Sequence, residues 1–142
     1  LVDAAKNGPV VLFFLNSRSP KSVEFAEAMT VVEKAVSGNS AVIGVIDLEE
    51  KPAYDWNRDH APKVDIVSDP FHRFYEAYKV TSGGTIVLVE KGGKMVGRYA
   101  PASYADLGDI ATKLSEMTGT KISFGLPSAT NLPIDGKPLN QD

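Results

Sequence analysis

The 142-residue sequence contains no cysteine, so the chain can form neither a disulfide nor a thiolate metal centre. Histidine is almost as scarce. Only His60 and His72 are present, and two separated histidines lack the spacing of a metal site. Walker-type and dinucleotide-binding glycine motifs are also missing. We therefore expect no metal and no cofactor.

Long apolar runs and basic clusters are absent as well. No segment approaches the roughly 18 consecutive apolar residues that span a bilayer, and nothing reads as a signal peptide. The formal net charge is −3 and the 15 Lys and Arg are scattered, so the sequence predicts neither a membrane span nor nucleic-acid binding. The first residue is Leu1 rather than methionine, as expected for a processed form or for part of a longer protein.

The strongest pattern that is present lies in residues 9–36. Residues 10–15 form an unbroken apolar run that is rich in β-branched and aromatic residues and too short for an ordinary helix, which predicts a strand buried on both faces. After a turn, Ser19 and Pro20 are typical of a helix start. The helix then shows one apolar face, formed by Phe25, Met29, Val32 and Val36.

The rest of the chain predicts one α/β domain with a central mixed sheet. A strand-helix-strand unit gives two parallel central strands, and two glycines between later strands indicate an antiparallel hairpin. The predicted elements after the first helix are strand 41–47, helix 48–61, strand 64–67, helix 71–78, strands 85–90 and 95–100, and helix 103–119. We place the domain at residues 1–119 and an extended tail at residues 120–142.

Two sets of apolar residues have competing interpretations. An aromatic stripe in the helix predicted for residues 71–78 favours core packing over an aromatic binding platform, and comprises Phe71, Phe74, Tyr75 and Tyr78. The tail, which has no regular period, is either a flexible terminus or linker, or an arm that contacts a partner. The partner contacts would be Ile122, Phe124, Leu126, Leu132, Ile134 and Leu139.

The order of elements over residues 9–119 resembles the thioredoxin superfamily, and most closely its peroxiredoxin Q branch. The matching landmarks are the first strand, the Ser-Pro-x-Ser sequence at residues 19–22, Val42-Ile43-Gly44-Val45, the segment from Val67 to Val80, and Gly92-Gly93-Lys94-Met95-Val96-Gly97. The resemblance implies a thioredoxin-like fold with helices on both sides of the sheet.

The same resemblance implies that the redox machinery is degenerate. The family carries Cys-Pro-x-Cys or Thr-Pro-x-Cys where this chain has Ser19-Pro20-Lys21-Ser22, so serine occupies both sulfur positions. A hydroxyl is far harder to ionise than a thiol and cannot form a disulfide. The cis-proline of thioredoxins would fall near Gly84, and the arginine of peroxiredoxins, expected just before the strand that starts at Thr85, is missing.

We therefore expect a protein that is not an enzyme and that serves as a structural or accessory subunit of a larger protein assembly. Peroxiredoxin Q relatives occur in bacteria and in plastids, so a plastid or thylakoid complex is the favoured setting and a bacterial-type soluble compartment the alternative.

Two other functions stay open at this point. One is a peroxiredoxin-type oxidoreductase whose cysteines were engineered to serine. The other is an enzyme with Ser22 as nucleophile, which would need His60 or His72 within hydrogen-bond reach. The acidic group of Asp47, Glu49 and Glu50 favours a solvated turn over a cation site.

Overall fold

A computed structural model describes residues 5–124 of the chain, except residues 20, 37, 39, 82, 101 and 103. The elements are β1 (Val10–Leu15), α1 (Lys21–Val36), β2 (Ala41–Ile46), α2 (Glu50–His60), β3 (Asp65–Ser68), α3 (Arg73–Ala77), β4 (Thr85–Val89), β5 (Met95–Tyr99) and α4 (Tyr104–Thr118). Among the described residues, no helix combines the length and the apolar character that a bilayer crossing requires.

The five strands form one mixed sheet in the order β3-β2-β1-β4-β5. β1 lies in the centre, parallel to β2 and antiparallel to β4. β3 extends the parallel half and β5 the antiparallel half. The predicted mixed sheet is therefore confirmed, including its division into a parallel and an antiparallel half.

Both faces of β1 are buried because side chains alternate across a strand. Val11, Phe13 and Leu15 belong to one apolar cluster, to which α1 contributes its whole predicted stripe and α4 contributes Leu107, Ile110 and Leu114. Val10, Leu12 and Phe14 belong to a second cluster on the opposite face, with Tyr75 and Val80. The central strand thus joins two cores, which explains its unbroken apolar sequence.

Helix α3 begins two residues later than the sequence predicts. His72, immediately before it, has a left-handed backbone with φ of 57°, which cannot continue a right-handed helix. Tyr75 is buried, and Phe74 and Tyr78 are half-buried, as predicted for core residues. The prediction is wrong for Phe71, whose side chain is 74% exposed because it lies in the loop before the helix.

The chain after α4 remains packed on the domain as far as the described residues extend. Ile122 is only 6% exposed, and its N–H donates to Ser115 Oγ at 2.8 Å. Phe124 is half-buried against the apolar cluster that contains Phe13 and Leu15. Ile122 is therefore buried in the core of this structure, and its contact with a partner stays a prediction. The other tail positions, Leu126, Leu132, Ile134 and Leu139, lie outside the described residues.

Candidate functional site

The candidate site is the corner where β1 passes into α1. Asn16 follows β1 directly and Asp47 follows β2 directly. Because β1 and β2 are parallel, their carboxyl ends meet at one edge of the sheet, which is where open α/β sheets place their binding sites. The order of the strands therefore brings both side chains to the predicted corner.

Side chains and backbone fix the corner through a set of hydrogen bonds. The Asn16 N–H donates to Ser22 Oγ at 3.0 Å, and the Ser17 N–H donates to Asp47 Oδ1 at 3.0 Å. The Arg18 N–H donates to Asn16 Oδ1 at 3.0 Å, which closes a local turn. The backbone of Ser19 continues the turn, since its N–H donates to the Asn16 carbonyl and its own carbonyl accepts from Ser22, each at 3.0 Å.

The two serines at the predicted redox positions are buried. Ser22 is 0% exposed, and its hydroxyl accepts a backbone hydrogen bond across the corner. Ser19 is also buried, one helical turn before it. The Ser22 hydroxyl is therefore part of the internal hydrogen bonding of the corner.

The two histidines lie on other segments of the fold than these serines. His60 lies at the exposed end of α2, where its ring centroid is 4.8 Å from that of Trp56. His72 lies before α3, with its ring centroid 4.9 Å from that of Tyr75. In the described part of the chain, neither histidine shares a hydrogen bond with Ser19 or Ser22. No serine-histidine hydrogen bond of the kind that activates a nucleophile is therefore present among the described residues.

Gly84 lies beside the corner, because Phe14 pairs with Thr85 across β1 and β4. Its N–H donates to the Phe14 carbonyl at 2.8 Å, and its carbonyl accepts from the Ala102 N–H at 2.8 Å. The backbone of Gly84 has φ of +83°. Proline has no N–H and holds φ near −65°, so this position fits glycine and excludes proline.

A cleft of about 650 Å³ opens next to the corner. Its polar lining includes Asn16, Arg18, Asp47 and His72 from three loops, and Tyr75 from α3. At its base the Tyr75 hydroxyl donates to the Leu15 carbonyl. Burial raises the pKa of Tyr75, and the carboxylates of Asp47 and Asp69 raise it further, so the hydroxyl stays a neutral donor.

The sequence patterns predict no site role for Asn16, Asp47 or Tyr75. They place Asn16 only in a turn, Asp47 only in an acidic cluster and Tyr75 only in an apolar stripe. The position of Asn16 and Asp47 directly after parallel strands is the signal that could have identified them. Tyr75 gave no such signal, because its hydroxyl reaches a residue 60 positions away in the chain.

No family model matches the chain, and no curated protein matches it in sequence. Solved structures do match. An exposed lipoprotein thioredoxin from Streptococcus pneumoniae is 21% identical, with a TM-score of 0.69 over 81% of this chain and 89% of that one. A peroxiredoxin Q from Xanthomonas campestris is 14% identical, with a TM-score of 0.66 over 82% of each chain. A protein described as the thiol:disulfide interchange protein DsbE, from Chlorobium tepidum, is 17% identical, with a TM-score of 0.70 over 82% of this chain and 84% of that one.

These likenesses, together with the sheet order, show that the chain has a thioredoxin-like fold. At identities of 21% and below they bear on the fold alone. The three neighbours are named for thiol chemistry, and this chain has no cysteine with which to perform it.

Proposed function

We propose that this chain is a redox-inactive thioredoxin-like protein that works by binding other proteins, as a structural or accessory subunit of a larger assembly. The observation that carries the proposal is Ser22. Where the resemblance implies a reactive sulfur, this chain has a hydroxyl that is 0% exposed and accepts the Asn16 N–H. The corner keeps its shape through that hydrogen bond and has no exposed nucleophile at that position.

Gly84 supports the same conclusion from a second position. The resemblance implies a cis-proline near this residue in thioredoxins, and the backbone here has a conformation and a hydrogen bond that proline cannot adopt. Two separate positions that the resemblance assigns to redox chemistry therefore hold residues unsuited to it. Divergence at several positions is expected when selection for electron transfer is lost and selection for the fold remains.

A plastid or thylakoid complex remains the proposed setting, and it rests on the resemblance to peroxiredoxin Q alone. The proposed partners are proteins. The tail is one proposed contact, through the positions beyond residue 124.

Two activity assays test the proposal on the purified natural chain. Hydroperoxide consumption and ester hydrolysis should both proceed at the rate of buffer alone, and S22A should give the same rates as the natural chain. In a low-salt extract of its source, the chain should elute well above the mass of a monomer. A free monomer that consumes hydroperoxide, or an esterase activity that S22A abolishes, would overturn the proposal. A source gene that encodes cysteine at position 19 or 22 would do the same.

A further inference from the structure

Phe71 is the most exposed large hydrophobic side chain among the described residues, at 74%. A single exposed apolar residue is common on protein surfaces and is not by itself a binding site. The conformation of the loop that holds Phe71 is the more informative observation.

That loop is fixed at both ends. Asp69 is buried, and its carboxylate accepts the backbone N–H groups of Arg73 at 2.8 Å and Phe74 at 3.1 Å. The His72 N–H donates to the Asp69 carbonyl at 3.2 Å, and His72 has a left-handed backbone that is unfavourable for a residue other than glycine. The fold thus maintains a strained turn with the ring of Phe71 outside the core. Strain of this kind is typical of sites that present a group to a ligand.

Phe71 borders a cleft of about 600 Å³ between the N-terminus of α2 and the loop before α3. We name this cleft the Phe71 groove. Its apolar walls are Pro52, Pro70, Phe71 and Phe74. Grooves walled by proline and aromatic rings suit extended peptide segments, which bury apolar side chains there without forming a helix.

The α2 side of the groove is acidic. Glu49 and Glu50 line it, both are exposed, and neither takes part in an ion pair within the described residues. Lys51 also lines the groove, but its ammonium contacts Asp55 at 3.1 Å and neither glutamate. On the opposite side, the guanidinium of Arg73 lies 6.0 Å from the centre of the Phe71 ring. A ligand therefore meets unpaired carboxylates on the side formed by α2.

We propose that the Phe71 groove binds an extended segment of a partner protein that carries an apolar anchor beside a lysine or arginine. This inference rests on the proposed function, for which it names the kind of partner. Charge complementarity selects the occupant. A second copy of the chain carries the same net negative charge of −3, and the tail beyond residue 124 holds two aspartates and one lysine. Both are less suited than a basic segment to the acidic side of the groove.

A phage-displayed library of random peptides, selected on the full chain and counter-selected on F71S, tests the inference. The enriched peptides should combine apolar or proline residues with lysine or arginine. For a synthetic copy of an enriched peptide, F71S should weaken binding by about tenfold or more, as expected for a central aromatic anchor. E49Q/E50Q should weaken it several-fold at low salt and reduce its dependence on salt.

M95S is the matched control. Met95 is also an exposed hydrophobic residue, at 39%, and lies on β5, at the opposite edge of the sheet from β3. M95S should change the affinity for the peptide by less than about twofold. Amide spectra of all variants should show an intact fold, which is expected because the substituted side chains are exposed.

Failure to enrich any peptide that depends on Phe71, or enrichment of acidic peptides, would overturn the inference. Dimerisation that F71S abolishes would also overturn it, because a second copy of the chain would then be the occupant. A tenfold gain in peptide affinity on removal of the tail would do the same, because the tail would then be the occupant. None of these outcomes bears on the absence of redox or esterase turnover, so the proposed function can fail or stand separately.

Discussion

Replacing Ser22 by alanine should destabilise the fold by about 1–2 kcal/mol. The change removes the hydroxyl that accepts the Asn16 N–H at 3.0 Å and leaves that donor without its partner. A buried donor left unsatisfied costs about 1–3 kcal/mol, and because Asn16 is only half-buried, water can restore part of the loss. The loss of one oxygen atom creates little cavity, so the hydrogen bond should dominate the effect.

Urea unfolding measures this change as a shift in midpoint at constant slope. With a slope of about 2 kcal/mol/M, the midpoint of S22A should fall by about 0.5–1 M. S17A is the matched control, because Ser17 enters the corner through its backbone N–H and not its hydroxyl, and it should stay within about 0.5 kcal/mol of the parent. An S22A midpoint equal to that of S17A would show that the Ser22 hydroxyl does not hold the corner, and would refute the reasoning.

Three further changes test the same fold. Y75F removes the donor to the Leu15 carbonyl and should cost about 1 kcal/mol in urea unfolding at pH 8. Burial raises the pKa of Tyr75 in the folded chain above 10, the ordinary value for tyrosine, so above pH 10 only the unfolded chain releases the phenolic proton. The contribution of Tyr75 to stability is therefore complete below pH 10 and falls above it. Between pH 8 and pH 11 the parent should lose about 1 kcal/mol more stability than Y75F. G84P should lower the free energy of unfolding by about 3 kcal/mol or more, because proline cannot donate the hydrogen bond to the Phe14 carbonyl and cannot adopt φ of +83°. A melting temperature within error of the parent would contradict this. G44A should lower the free energy of unfolding by about 1–3 kcal/mol, measured by calorimetry, because a Cβ at this position would lie 3.1 Å from Met29 Sδ. An unchanged unfolding enthalpy and midpoint would show that α1 can shift to accommodate the added methyl group.

The elements of the fold could be predicted because their signals are local. The apolar run of β1 and the stripe of α1 each repeat at the period of the structure they form, and both are buried as predicted. The Gly-Gly hairpin was equally clear. The ends of helices are less predictable where a single backbone angle decides them. At His72, the residue type does not indicate the left-handed conformation.

Exposure was harder to predict than structure type. Phe71 fits the aromatic stripe of a helix, but the helix begins after it and the stripe rule no longer applies. Ile122 has no periodic neighbours, so the pattern places it in an extended tail, although it packs on the core that includes α1 and α4. For Phe71 the deciding feature is the backbone of the adjacent His72, and for Ile122 it is packing against the apolar cluster together with the hydrogen bond to Ser115.

The sequence by itself determined that no sulfur is available at the corner and that the chain forms a mixed α/β sheet, because residue identity and periodicity are properties of the chain alone. Only the tertiary structure decided which groups surround that corner. Asp47 and Tyr75 reach it through strand order and long-range packing, and Ser22 is enclosed there by the turn that it stabilises. Burial and hydrogen bonding depend on which segments meet in space, and for that reason they, and not composition, distinguish an internal hydroxyl from an exposed nucleophile.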